Sequence, residues 1–224
     1  MIRALPALAA LSLTMAACDD GSGPANQSAA TNAAAAPKAE TPPPPLADKV
    51  RVRLETDAGP IVVELDGRHA PVTAGNFLHY VDARRLDGAE FYRAMKTGPE
   101  AGLVQGGVRD PRKLFPPIAH EPTSQTGLSH VDGALSVPRF ALGSARGDFT
   151  IMVGDQKYLD AGPGSAGDGQ GYAVFGRVVE GMEVVRRILA APTSPTEGEG
   201  VMKGQMLSPR ITILTARRVP PAAR

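Results

Sequence analysis

Four histidines and one cysteine are the side chains here best suited to ligate a metal or carry a nucleophile, and their placement serves neither use. His69, His79, His120 and His130 fall in turns or helix without HExxH spacing, so a zinc hydrolase is not indicated. No G-x-S-x-G marks a nucleophilic serine, and the glycine-rich run Asp160 to Gly171 lacks the GK[ST] of a phosphate loop. Cys18 has no second cysteine to form a disulfide or a multi-cysteine metal site. What remains is polar: Arg93 near Glu90 in an apolar segment, and Gln105 ahead of Gly106-Gly107. Taken alone, such an arginine reads as a solvated surface charge and such a glutamine as a bulge residue. Phe149, Leu159 and Tyr172 read alone as core. Lys plus Arg number 24 against 23 Asp plus Glu, and the net charge of +1 excludes a broadly basic nucleic-acid binder.

Something must position these residues, and hydrophobic periodicity says what. Val50, Val52 and Leu54 alternate with Arg51, Arg53 and Glu55, the pattern of a half-buried strand. Asp57-Ala58-Gly59-Pro60 makes a turn, and residues 61–65 return as its hairpin partner. His69-Ala70-Pro71 opens a helix whose predicted packed face is Val72, Asn76, Phe77, Tyr80 and Val81. Further strands are predicted over 90–95, 102–105, 134–137, 149–153, 172–178 and 210–215. A second helix is predicted over 182–189, with Met182, Val185, Ile188 and Leu189 inward. Long loops are expected over 96–101, 108–132 and 160–171, consistent with 25 glycines and 21 prolines. Seven or eight strands and two helices without βαβ alternation point to an antiparallel barrel or sandwich.

The first 48 residues read differently. Met1-Ile2-Arg3 is a short positive start, and Ala4 to Ala17 carries no charge, too short to span a bilayer but suited to a secretory signal. The run ends in Met15-Ala16-Ala17-Cys18, which resembles the lipobox of bacterial lipoproteins, with Met15 where leucine is usual. The resemblance implies lipidation of Cys18 and, through Asp19, retention at the inner membrane. Residues 19–48 are rich in Ala and Pro, and such a segment is expected to be a disordered tether. The expected plan is a signal (1–18), a tether (19–48), one domain (49–219) and a short tail (220–224), with Arg217-Arg218 solvated or leaning on anionic headgroups.

Five segments in order resemble the cyclophilin-type peptidyl-prolyl isomerases. They are Pro71 to Phe77, Phe91-Tyr92-Arg93 with Leu103-Val104-Gln105-Gly106-Gly107, Gly133 to Ser136, Tyr158-Leu159-Asp160, and Ala173 to Met182. The resemblance implies a mainly β fold, a closed eight-stranded antiparallel barrel capped by two helices. It implies isomerisation of X-Pro bonds in unfolded or newly exported chains, with proline-containing peptide segments as partners and no cofactor or metal. An X-Pro amide resists rotation by ~18–20 kcal/mol because its nitrogen lone pair is delocalised. At the twisted transition state the nitrogen becomes an acceptor, so a fixed guanidinium binds that state better than either ground state. By resemblance Arg93 supplies it, Gln105 holds a peptide carbonyl, and Phe149 and Leu159 floor the prolyl pocket beside Tyr172 and Leu103.

Departures from the pattern shape further expectations. Gly102 stands where the family has phenylalanine, and Leu103 replaces a methionine. Asp148-Phe149-Thr150 replaces glutamine-phenylalanine-phenylalanine, losing one wall aromatic and adding a carboxylate. Pro138-Arg139-Phe140 replaces alanine-asparagine-alanine; Phe140 is expected to refill the wall and Arg139 to pair with Asp148 while bordering the substrate. A thinner pocket keeps a second reading open, a peptide-binding module without turnover. A monomer is the default expectation.

Overall fold

The computed structural model describes residues 46–220. The signal segment, Cys18 and residues 19–45 of the tether lie outside the described residues, as does 221–224. Leu46 packs against the core, so its side chain belongs to the folded unit although the predicted tether ran to residue 48.

Among the described residues, nine strands and three α-helices follow in order. β1 (Lys49–Thr56) and β2 (Gly59–Asp66) form the first hairpin, followed by α1 (Pro71–Asp82). β3 (Glu90–Gly98) and β4 (Ala101–Gly107) form the second, and a short α2 (Thr123–Thr126) precedes β5 (Ala134–Val137). β6 (Asp148–Val153), β7 (Ala173–Glu180), α3 (Met182–Ala190), β8 (Thr193–Ser194) and β9 (Met206–Arg218) complete the chain. The sheet runs β1-β2-β7-β5-β6-β4-β3-β9, and β9 pairs again with β1, which closes an antiparallel barrel of eight strands. The two-residue β8 is an appendage on β9.

Closure removes free edges and leaves each strand with one inward and one outward face. Inward positions carry the core: Val104 on β4, Phe149, Ile151 and Val153 on β6, Ala173 and Phe175 on β7. Phe149 is its aromatic centre, with ring centroids 5.3 Å from Phe77 of α1 and 5.5 Å from Phe91 of β3, both edge-to-face. α1 packs against β7, β9 and β2, and α3 packs against β2, β3, β4 and β6.

Four local expectations are corrected. The buried face of α1 is Thr73, Ala74, Phe77, Leu78, Tyr80 and Val81. Val72 lies five residues before Phe77, at about 140° around the helix, and is 42 % exposed. On α3, Val184 joins the buried set while Met182 only leans on it. The predicted 96–101 loop is a tight hairpin, with β3 pairing to β4 out to Gly98 opposite Ala101. Gly102 has φ +155° there, and a Cβ would stand 2.0 Å from the Met95 carbonyl oxygen, so no phenylalanine fits at that position. Arg217 and Arg218 are strand residues; they form two-pronged ion pairs with Asp87 and Asp82.

α1 has no side-chain cap of its own. Glu121, 5 % exposed, arrives from the long loop and accepts from the backbone N–H of Val72 at 3.0 Å and of Thr73 at 2.7 Å. Its carboxylate meets the positive end of the helix and satisfies donors that would otherwise be orphaned. Glu121→Ala is expected to destabilise the domain by about 2 kcal/mol, read as a lower urea midpoint with an unchanged slope.

Candidate active site

A bulge interrupts β3 between Phe91 and Arg93, so Tyr92 and Arg93 both lie outside the core cluster while Phe91 and Ala94 belong to it. Gln105 pairs across with Arg93 and meets both consecutive side chains. Its Oε1 accepts from Arg93 Nη1 at 2.9 Å, and its Nε2 donates to the Tyr92 hydroxyl at 2.6 Å. Arg93 Nε donates to Gln205 Oε1 at 2.8 Å, and Nη2 lies 3.3 Å from Met95 Sδ. Burial lowers the Arg93 pKa, with the neighbouring Tyr92, Tyr158 and Tyr172 opposing. Burial raises the pKa of nearby Asp148, with Tyr92 and Arg109 opposing.

Two residues back on the same strand face, roughly 7 Å away, Leu103 enters a second apolar cluster. Leu103, Met152, Leu159, Val174 and Ala134 form it, with Tyr172 and Met95 against its edge. Leu103 and Met152 are cross-strand partners, as are Gln105 and Thr150. The cluster is therefore built from outward positions of β4, β6, β5 and β7, covered by Leu159 from a 3₁₀ turn, Lys157–Leu159.

Hydrogen bonds hang that turn on the barrel. His130 is fully buried, with Nδ1 2.6 Å from Asp160 Oδ1 and Nε2 2.9 Å from Ser136 Oγ. The Ser129 hydroxyl bonds the other Asp160 oxygen. Ser136 also offers its carbonyl to Thr150 Oγ1 at 3.1 Å. The following loop is pinned by Arg139, which donates to the Gly171 carbonyl at 2.7 Å and grips Asp168 with both Nη atoms at 2.9 and 2.7 Å. That grip holds the Asp168 carboxyl down to about 2. The Arg139 guanidinium also lies 5.4 Å from the Tyr172 ring centroid.

The structure thus brings Arg93, Gln105, Leu103, Leu159 and Tyr172 to one outer face. It does not bring Phe149 there: that side chain is 1 % exposed and points into the barrel. Strand alternation sends its neighbour Thr150 outward instead. Arg139 pairs with Asp168 and not with Asp148, and with its side chain 5 % exposed it secures the loop. Phe140 is 96 % exposed and fills no wall. Sequence reading missed Tyr92, Tyr158 and Gln205. Tyr158 precedes Leu159 at the aromatic position of the quoted motif and was there to be read; Gln205 carried no local signal.

The whole-chain comparison bears on what such a face is for. Residues 51–217 match the family described as cyclophilin type peptidyl-prolyl cis-trans isomerase/CLD. The chain belongs to this family. It is 35% identical over 148 residues to a peptidyl-prolyl cis-trans isomerase of Acinetobacter baylyi, covering 64% of this chain and 73% of that one. It is 36% identical over 147 residues to peptidyl-prolyl cis-trans isomerase A of Dickeya dadantii, covering 63% and 72%. A crystal structure of a Cryptosporidium parvum cyclophilin type isomerase superposes with a TM-score of 0.61 at 18% identity, covering 77% of this chain and 99% of that one. A second structure, in the presence of the dipeptide Ala-Pro, gives 0.60 at 19% identity, covering 76% and 99%. At that identity the two structures bear on the fold alone.

The buried imidazole makes the wall pH-sensitive. Burial lowers the His130 pKa, with Asp160 opposing, from an ordinary value of 6.5. The unfolded chain therefore takes up a proton first as pH falls, and stability declines from about pH 6.5 downward through the folded pKa. The melting temperature is expected to fall more steeply between about pH 7 and pH 5 in the wild type than in His130→Asn. Equal slopes would remove His130 as the source.

Proposed function

We propose that this chain accelerates cis/trans rotation of X-Pro bonds in extended segments of exported polypeptides, held at a membrane through Cys18. The observation that carries the reading is the outward Arg93–Gln105 pair standing one step along a strand from the Leu103–Met152–Leu159 cluster.

The prolyl ring rests on the apolar cluster, beside Tyr172. Gln105 has one Nε2 hydrogen left after bonding Tyr92, and it holds a peptide carbonyl so that only one side of the amide turns. Arg93 keeps one hydrogen on each Nη after its bonds to Gln105 and Met95. One of these donates to the prolyl nitrogen as its lone pair is released. The planar, conjugated ground states offer no such lone pair, so the interaction is made only in the transition state. Rotation breaks no bond and needs no nucleophile.

Extended segments suit this face because a folded client exposes few X-Pro bonds. Export and anchoring rest on the sequence from Met1 to Cys18. The expected anchor is a lipid on Cys18 on the periplasmic side.

Exchange of a short Ala-Pro peptide, followed by NMR with the full-length chain, tests the activity. The wild type is expected to speed exchange, and Arg93→Ala to lose on the order of 10²- to 10³-fold of that gain. Peptide shifts without faster exchange would leave a binding module instead. For the anchor, Cys18→Ala is expected to move the chain from the membrane fraction to the soluble one; unchanged partition would refute lipidation at that residue.

A further inference from the structure

Gln205 is 112 residues from Arg93 in the sequence yet accepts from its Nε. It lies at the end of the segment between α3 and β9, which carries β8 and a 3₁₀ turn, Gly200–Met202. We propose that Gln205 is a positioning residue for Arg93, and that the 191–205 segment is a working part of the site. The inference rests on the role given to Arg93 above.

The amide is oriented before any substrate arrives. Gln205 Nε2 donates to the Val201 carbonyl at 2.7 Å, which turns Oε1 the other way, toward Arg93 Nε at 2.8 Å. The backbone is fastened as well: Gln205 N donates to Met202 O at 3.1 Å, and Gln205 O accepts from Ala94 N at 2.9 Å. Ala94 is the residue after Arg93, so strand and side chain are gripped together. The segment that delivers Gln205 is itself closed. Gly204 N donates to Glu197 O at 2.9 Å, and β8 pairs Thr193 with Leu207 and Ser194 with Met206. Gly198 has φ +95°, and a Cβ there would stand 2.3 Å from the Met202 carbonyl oxygen, so the turn admits no side chain.

Geometry explains why a second anchor matters. Without Gln205, the guanidinium would be held at Nη1 by Gln105 and at Nη2 by only the weak thioether acceptor of Met95, a looser hold on its plane. Acceptors on Nη1 and Nε, at opposite ends of the fork, fix the plane and aim the remaining Nη hydrogens. Small misplacement of a donor at a reacting atom costs rate steeply, while ground-state binding through the apolar cluster is untouched.

Two variants of the full-length chain test this. Gln205→Leu removes the acceptor, and Gln205→Glu keeps one. Gln205→Leu is expected to lower kcat on an Ala-Pro peptide on the order of tenfold, with the peptide dissociation constant within about twofold of wild type. The Arg93 Nε–H proton, followed by ¹⁵N NMR, is expected to exchange with water faster in Gln205→Leu and to stay protected in Gln205→Glu. Unchanged kcat, or slower turnover with Nε–H protection unchanged, would overturn the proposal. So would loss of protection in a folded Gln205→Glu. If the wild type itself fails to speed exchange, the isomerase reading falls, whereas Nε–H protection still reports whether Gln205 anchors Arg93.

Discussion

The hold on the Arg93 guanidinium is the interaction on which the rest of this surface depends, and it is a product of strand pairing. A side chain with four rotatable bonds becomes a directed donor only when several of its nitrogens are bound at once. Gln105 supplies one acceptor from the paired strand and Gln205 another from the opposite side of β3. β3 lies between β4 and β9 in the barrel, so both neighbours are available. An edge strand would have left one side of the guanidinium to solvent. The interior position of β3 in the sheet is thus a condition of the chemistry.

The wall facing that guanidinium has a different origin. Most of the barrel's apolar residues point inward, and an outward cluster of Leu103, Met152 and Val174 would be a liability if left bare. The 3₁₀ turn at Leu159 covers part of it, and two polar pins keep the turn and its loop in place. One is the Asp160–His130–Ser136 chain; the other is Arg139 on Asp168 and Gly171. A loop with this many glycines has high entropy to lose on ordering, and such pins offset it.

Alternation made the barrel readable in the sequence, and misread parity produced the largest error at the site. Val50 to Glu55 and Phe149 to Val153 announce strands through local pattern alone. Phe149 and Thr150 cannot be assigned to faces from composition, because a phenylalanine suits a core as well as a pocket. Parity relative to Ile151 and Val153 carried the answer: these aliphatics share the face of Phe149, which makes it the core face. Arg139 failed for another reason. Its partner Asp168 sits 29 residues on, in a loop without periodicity, whereas Asp148 was nearer and of the right charge. Gln205 was out of reach altogether, since nothing local distinguishes it from a surface glutamine.

The chemistry of the acceptors around Arg93 completes the argument. Its hydrogen-bond partners are two amide oxygens and a thioether, all neutral. A carboxylate in either glutamine position would hold the guanidinium as firmly but would pair with its charge and weaken its field at the substrate. The nearby carboxylate, Asp148, is not among the partners of the guanidinium, which are Gln105, Gln205 and Met95. Neutral acceptors orient a cation without neutralising it, and a rotating amide nitrogen with a fresh lone pair responds to the charge that remains.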